Sequence, residues 1–456
     1  MELMQQMEER FAKISEQARR DGVEAELLVE AGESLKLSVS EGKVEKFDAS
    51  QSQVGGLRVI LDGVEGYSWT ESLEGGDLES AYAEALQNAK FAARGGPAAP
   101  LERVALYSGA EVKEDPSLFN DSQERFSIEE KIERAKALER EAKAVDPRIA
   151  KVPYNAYVES KGEVLVMNTK GVRARQRSTG VYCYAYCLAK QGEETRSAGE
   201  SSFTRHADRV PITETAHDAA AQTIEKLGAV SPETGEYPVI VRNDVVAHFF
   251  SLFKNYFSAK AVAEKTSLFA GDRGQRIASS LLTISDEPGL KDGIGNRVFD
   301  AEGAPTARID VIKNGRLETF LTNTVYARRL GLPHTASAER SARGVLDIGF
   351  SNFVIEAGQN DFAELVKRHP KVIVITSFQG YHAGFNEGSG DFSLSAEGEL
   401  WENGLKVKPL KGFVVSGSVR TLLNDIEMVS NRLCKITGSA VAPDLLIRSL
   451  AVAGSA

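Results

Sequence analysis

The chain is poor in cysteine, in tryptophan and in long apolar runs. Its 456 residues include three cysteines and two tryptophans. Three cysteines cannot build a disulfide framework, and a chain of this length buries enough core to need none. The low, odd count fits a reducing compartment. No apolar stretch approaches the roughly 20 residues that cross a bilayer. The opening run MELMQQMEERFAKISEQARR is polar and amphipathic, without the apolar segment of a secretion signal. The expected location is the cytoplasm, with no membrane partner.

Positive charge is also scarce. Lysine and arginine number 55 against 65 acidic residues, for a net charge of −10. Nucleic-acid backbones require a concentrated basic surface, so no nucleic-acid partner is expected. The local basic run is KGVRARQR, Lys170–Arg177. On a strand Arg173, Arg175 and Arg177 share one face. That face is either simply solvated or meets an acidic partner or peptide.

What is present reads as α+β. An amphipathic helix, Glu2–Arg20, precedes alternating runs such as SLKLSVSEG and GLRVILDGVEGYSW. Glu41-Gly42 and Asp62-Gly63 sit where hairpin turns belong, as do Asn314-Gly315 and Asn403-Gly404. This predicts an N-terminal helix plus antiparallel meander, and then a helix over Asp77–Ala93. Residues 95–125 have the texture of a linker. Ser127 and Glu130 form a capping-box pattern that opens a further helix. Strands and a helix over Ile212–Leu227 follow. The last part is β-rich with a few helices, predicted near Val245–Phe257 and Thr421–Val429. Three regions result: 1–125, 126–230 and 231–456.

Chemistry-bearing patterns are sparse. No two of the six histidines stand at zinc-helix spacing. His248 lies on a predicted helix without a neighbouring glutamate. Cys183 and Cys187 share a strand face but lie about 13 Å apart, too far for a disulfide or one ion. They read as small core residues, and Cys434 has no partner in sequence. GFNEGSGDFSLSAEGELWENG, residues 384–404, holds five glycines. It satisfies neither the nucleophile-elbow nor the dinucleotide-binding pattern. Its Asn386, Ser389, Gly390 and Asp391 read as a tight turn that lets another backbone lie close.

FDAEGAPTARIDVIKNGRLETFLTNTVYARRLGLPHTASAERS, the glycine-rich stretch and APDLLIRSLAVAG follow one another here in a family-like order. With LKLSVSEGKVEKFDASQSQVGGLRVILDGVEGYSWT near the start, they resemble the TldD/PmbA family, also called modulators of DNA gyrase. The resemblance implies a role in proteolysis and peptide maturation. Its TldD branch carries a zinc helix, H-E-x-x-x-H, after a Pro-Val strand, and a distant cysteine ligand. Here Pro238–Val241 is followed by VRNDVVAHFFSLFKNYF, without the glutamate or the histidine pair. The chain is therefore similar to the PmbA/TldE branch. That implies no catalytic or metal residue in this chain, with zinc held by a TldD-like partner. The partners expected are that subunit, in a heterodimer, or a second copy, in a homodimer. The substrate expected is an unfolded or leader peptide. Asn386, Ser389, Gly390 and Asp391 are the candidate peptide or partner contacts. Two alternatives stay open: a homodimeric peptide-binding module without hydrolytic activity, and a self-sufficient peptidase using Cys434 or Ser389.

Overall fold

A computed structural model describes residues 2–94, 104–109 and 111–454. Four aspartate-, glutamate- or asparagine-glycine pairs make two-residue hairpins, at 41–42, 62–63, 314–315 and 403–404. Both residues of Glu41-Gly42 have positive φ, 50° and 74°. That is the turn whose twist suits antiparallel strands.

The first half is one sheet. Strands β1 (Glu24–Ser40), β2 (Lys43–Leu61) and β3 (Val64–Thr70) form the predicted meander. Beyond β1 the sheet continues with β5 (Ile149–Asn168), β6 (Arg173–Gln191) and β7 (Glu194–Thr204), and the short β4 (Glu111–Val112) pairs with β6. The N-terminal and central segments are thus joined edge to edge by β1 and β5, which run antiparallel from Glu26↔Asn168 to Leu37↔Tyr157.

Helices cover one face of this sheet. On α1 (Glu2–Asp21) and α2 (Gly75–Ala93), Phe11, Ile14, Leu78 and Tyr82 bury against Leu27, Leu57 and Leu165. On α3 (Ile128–Val145) and α4 (Ile212–Glu225), small residues such as Ala142, Ala216 and Ala220 meet Cys183, Ala185 and Cys187. Both cysteines are fully buried core residues. The capping box is formed: the Ser127 hydroxyl accepts from Glu130 N–H, and the Glu130 carboxylate accepts from Ser127 N–H.

Part of the expected linker, 95–103 and 110, lies outside the described residues. The remainder is stapled down. Gln123 donates to the carbonyls of Ser160 and Gly180, and Leu118 is buried. The arginine face is neutralised within the chain. Arg175 donates to Glu163 at 2.6 Å, Arg177 to Glu114 at 2.9 Å, and Arg173 lies over the Phe11 ring.

The second half is built on a six-stranded sheet that curls on itself. Strand β8 (Gly235–Val241) lies between Lys371–Gln379, its parallel neighbour, and Pro443–Gly454, its antiparallel one. Asp391–Glu402 and Leu405–Ser418 continue the sheet, and the latter pairs with Pro443–Gly454. That last pairing closes five strands into a barrel. Helix α5 (Asn243–Ser251) caps it, with the Phe249 ring centroid 5.1 Å from Phe392 and 5.3 Å from Phe378.

Two predicted helices are shorter than expected. Residues 245–257 divide into α5 and a 3-10 turn, Lys254–Phe257. The helix expected over Thr421–Val429 is Val419–Asn424 only, because Ile426–Leu433 becomes a strand paired with Pro443–Ile447. Sheet pairing there overrides local helical preference.

The opposite face of the first sheet meets loops of the second half. Glu26, Arg58 and Tyr67 stand directly opposite one another on β1, β2 and β3. Glu302 and Arg340 cover them. Arg58 lies 3.5 Å from Glu26 and 3.4 Å from Glu302, and Arg340 lies 3.0 Å from Glu26. All four of these side chains are fully buried.

Candidate functional site

The site is built from the N-terminus of α5. Strand β8 ends at Val241, and the buried Asp444 carboxylate accepts from Asn243 N–H at 3.0 Å. Arg242 lies 3.2 Å from the same carboxylate oxygen, and Ser430 donates to the other. This clamp fixes where α5 starts. Asp244 and His248 are four residues apart on it and so share one face.

That face forms one wall of a cleft between the halves. The opposite wall comes from β7 and α4. One lobe, about 440 Å³, is bordered by Glu200, Gln222, Arg242 and Lys435. A second, about 400 Å³, is bordered by Tyr186, His248, Gln379 and Tyr381. Gly199, Lys226, Asp244 and Thr376 border both.

Charge in the cleft is unevenly matched. Lys435 pairs with Asp218 at 2.6 Å, and Lys226 with Glu397 at 2.8 Å. Glu200 accepts from Gln222 at 2.7 Å. Asp244 is open to solvent, yet it stands among protein atoms on nearly every side. That burial pushes its carboxyl above the usual range, against the pull of Arg242. Burial pushes Glu200 up as well. The His248 ring rests on Tyr381, with centroids 4.7 Å apart.

Counting along α5 gives a relationship that residue types alone conceal. H-E-x-x-x-H puts its histidines and acid at positions one, two and six of a six-residue run. In NDVVAH those positions are Asn243, Asp244 and His248. One histidine of the pattern is kept, the acid is a carbon shorter, and the first histidine is an amide. His248 falls at the sixth position of that spacing. The Asn243 amide is engaged within the fold: its oxygen accepts from Asp244 N–H and its nitrogen faces the Arg432 carbonyl. Cys434 is 8% exposed, and burial pushes its thiol up to about 11.

Among the described residues, Asp300, Glu302 and His334 bring ligand atoms within 4.8 Å of one another. No α5 residue belongs to that group. Its carboxylates already serve the backbone. Asp300 accepts from the N–H groups of Glu302, Ala304 and Ala338, and Glu302 accepts from that of Thr324. The three clasp the loops that cover Arg58.

The glycine-rich stretch borders the cleft through Glu397, Gly398 and Glu399. Asn386 Oδ1 accepts from the N–H groups of Gly388 and Ser389, and Ser389 Oγ accepts from Asp391 N–H. These side chains hold their own turn. Gly390 has φ 76°, and a Cβ there would lie 2.5 Å from Leu268. The Glu387 carbonyl accepts from the Tyr256 hydroxyl, which ties the turn to the segment after α5. Asp391 remains exposed. The cleft itself was not visible in the sequence, since its walls lie far apart in the chain.

Three family models match in succession: PmbA/TldA metallopeptidase domain 1 over residues 25–89, the central domain over 121–227 and the C-terminal domain over 234–454. The chain is similar to metalloprotease PmbA of Escherichia coli, with 26% identity over 93% of this chain and 92% of that one. It is also similar to the metalloprotease TldD homologue of Haemophilus influenzae, with 28% identity over 68% of this chain and 66% of that one. A crystal structure from Thermotoga maritima, described as a modulator of a DNA gyrase, superposes with TM-score 0.89 and 27% identity, covering 98% of this chain and all of that one. TldE from Thermococcus kodakarensis shares the fold, with TM-score 0.84 and 22% identity over 94% of this chain and 97% of its own. With these models aligned in order along it and a PmbA relative matching nearly its whole length, the chain belongs to the TldD/PmbA family of metallopeptidases.

Proposed function

We propose that this chain is the PmbA/TldE-like subunit of a TldD/PmbA-type metallopeptidase, and that it holds no zinc itself. The observation behind this reading is Asn243. Counted back from His248 it falls where the zinc pattern has its first histidine, it carries an amide, and it is bonded within the fold. A TldD-like partner then supplies the metal-bound water and the general base that peptide hydrolysis requires. The substrate is an unfolded or leader peptide lying extended in the cleft, and the turn at Asn386, Ser389, Gly390 and Asp391 is its contact or the partner's. Main-chain hydrogen bonds give such binding affinity without strict sequence choice.

Three free, buried cysteines suit a reducing compartment, and the cytoplasm is the proposed location. No helix among the described residues is long and apolar enough to cross a membrane.

The test is reconstitution. An unfolded peptide is incubated with this chain alone, with a TldD-like chain from the same genome alone, and with both. Chelator-sensitive cleavage that needs both chains supports the reading. Full cleavage by this chain alone overturns it.

A further inference from the structure

Lys254, first residue of the 3-10 turn after α5, points a half-buried ammonium at a pocket of about 220 Å³. An ammonium has three donors. One goes to Ser439 Oγ at 3.3 Å, and the ammonium lies 5.8 Å from the centre of the Phe353 ring. Among the described residues no carboxylate is in ion-pair contact with it. Two hydroxyls share its end of the pocket. Ser258 Oγ accepts from Lys260 N–H, and Ser439 Oγ accepts from Lys254. Neither hydroxyl gives its own proton to an acceptor among the described residues. A partly buried cation with two such hydroxyls is a donor set without its acceptor.

The same pocket is bordered by a carboxylate, that of Glu339. It makes no hydrogen bond or ion pair among the described residues. A Cβ on Gly349 would lie 1.6 Å from Glu339 Oε2, so the carboxylate sits in space that only glycine leaves open. Glu339 and Lys254 are too far apart to pair directly, yet each stands in the other's field. Burial pushes the Lys254 pKa down, and the pull of Glu339, then of Asp286, opposes that. Asp286 itself is spent on the N–H groups of Ser351 and Asn352.

We infer that this pocket binds a free α-amino acid with a small apolar side chain. The ligand's carboxylate meets Lys254, Ser258 and Ser439, and its ammonium meets Glu339. Its side chain lies against Leu321, Ile348 and Phe350. A gap too wide for one ion pair is closed by a molecule that carries both charges. At ~30 Å³ per water the pocket has room for about seven waters, which suits a residue such as valine and not a peptide of several residues. Phosphate is disfavoured, because the fields of Glu339 and Asp286 oppose a dianion. The pocket shares supports with the cleft. Lys254 follows α5, and Ser439 follows Lys435 and Thr437, which border the cleft's first lobe. This inference does not depend on what the cleft binds.

Titration calorimetry on the full chain tests it with three probes: L-valine, 3-methylbutanoate, which lacks the ammonium, and isobutylamine, which lacks the carboxylate. L-Valine should bind, and each analogue should bind about tenfold more weakly or worse, since each forfeits a charge-assisted contact. Lys254→Met should weaken L-valine by about the same factor and remove its advantage over isobutylamine. Glu339→Gln should do likewise and remove its advantage over 3-methylbutanoate. Glu339 is exposed, so Glu339→Gln should keep the wild-type melting temperature, and its change in selectivity reads binding and not folding. Asp244→Asn, in the cleft, should leave L-valine binding unchanged. Failure of the wild-type chain to bind L-valine, equal binding of L-valine and 3-methylbutanoate, or a folded Glu339→Gln chain that binds as the wild type does would each overturn the inference. So would loss of L-valine binding in Asp244→Asn, which would place the ligand in the cleft.

Discussion

Arg58 on β2 and Glu302, 244 residues later in the chain, approach to 3.4 Å with neither side chain exposed. Glu26 and Arg340 belong to the same group, and Glu65 accepts from Arg58 Nε at 3.1 Å. Its charges sit between the first sheet and the loops of the second half, so they record how the two halves dock. Not every polar atom is satisfied: Glu26 Oε2, Arg58 Nη2 and two Arg340 nitrogens lack a partner. Burial pushes Glu26 up, against the pull of both arginines.

Arg58→Ala leaves Glu26 and Glu302 buried without their shared cation. Breaking a buried pair in this way costs about 3–5 kcal/mol. Urea denaturation should show that loss. Arg58→Met combined with Glu302→Gln should cost less than the two single changes together, since they share one network. Strictly additive costs would show that the network is not coupled.

Gly56 faces the same junction. A Cβ there would lie 2.0 Å from the Ala342 carbonyl oxygen, a backbone atom that cannot swing aside. Gly56→Ala should therefore cost about 1–3 kcal/mol through overpacking. Gly289→Ala, where nothing lies within 4 Å of the added carbon, is the control and should be neutral. Equal melting temperatures for the two variants would contradict the docking geometry.

Asp286 gives a pH signature. It is buried, and burial pushes its carboxyl up to about 6 despite Arg297 and two backbone N–H donors. An unfolded aspartate titrates near ~3.9. The folded state thus binds this proton more tightly. The stability it contributes is full below about pH 4 and is lost as pH rises through about 6, a difference of up to ~3 kcal/mol. Wild-type stability minus that of Asp286→Asn should fall between pH 4 and pH 6. A difference that is flat or rises across that window would contradict the assignment.

Much of the fold was legible in the sequence because local chemistry decided it. Asn-Gly, Asp-Gly and Glu-Gly turns fix hairpins with little help from the rest of the chain, and Ser127 with Glu130 fixes a helix start. Where tertiary pairing competes with local preference, the reading fails, as at Ile426–Leu433. The buried charge group was also missed. Its trace is Arg58 inside the apolar run GLRVIL. A strand buried on both faces has no solvent side for a guanidinium, so the residue requires buried carboxylates.

The candidate site was legible only in its register. NDVVAH holds the spacing of the zinc pattern with two of three residue types changed, and spacing is visible only once the helix start is fixed. That start depends on Asp444, some two hundred residues away. The cleft joins β7 and α4 to α5, and no short stretch contains it.

Zinc content tests the central claim most directly. The purified chain is dialysed against micromolar zinc and then buffer, and bound metal is counted per chain by mass spectrometry. The proposal predicts far less than one zinc per chain, and no change on His248→Ala. One tightly held zinc per chain, lost in His248→Ala or Cys434→Ala, would contradict it.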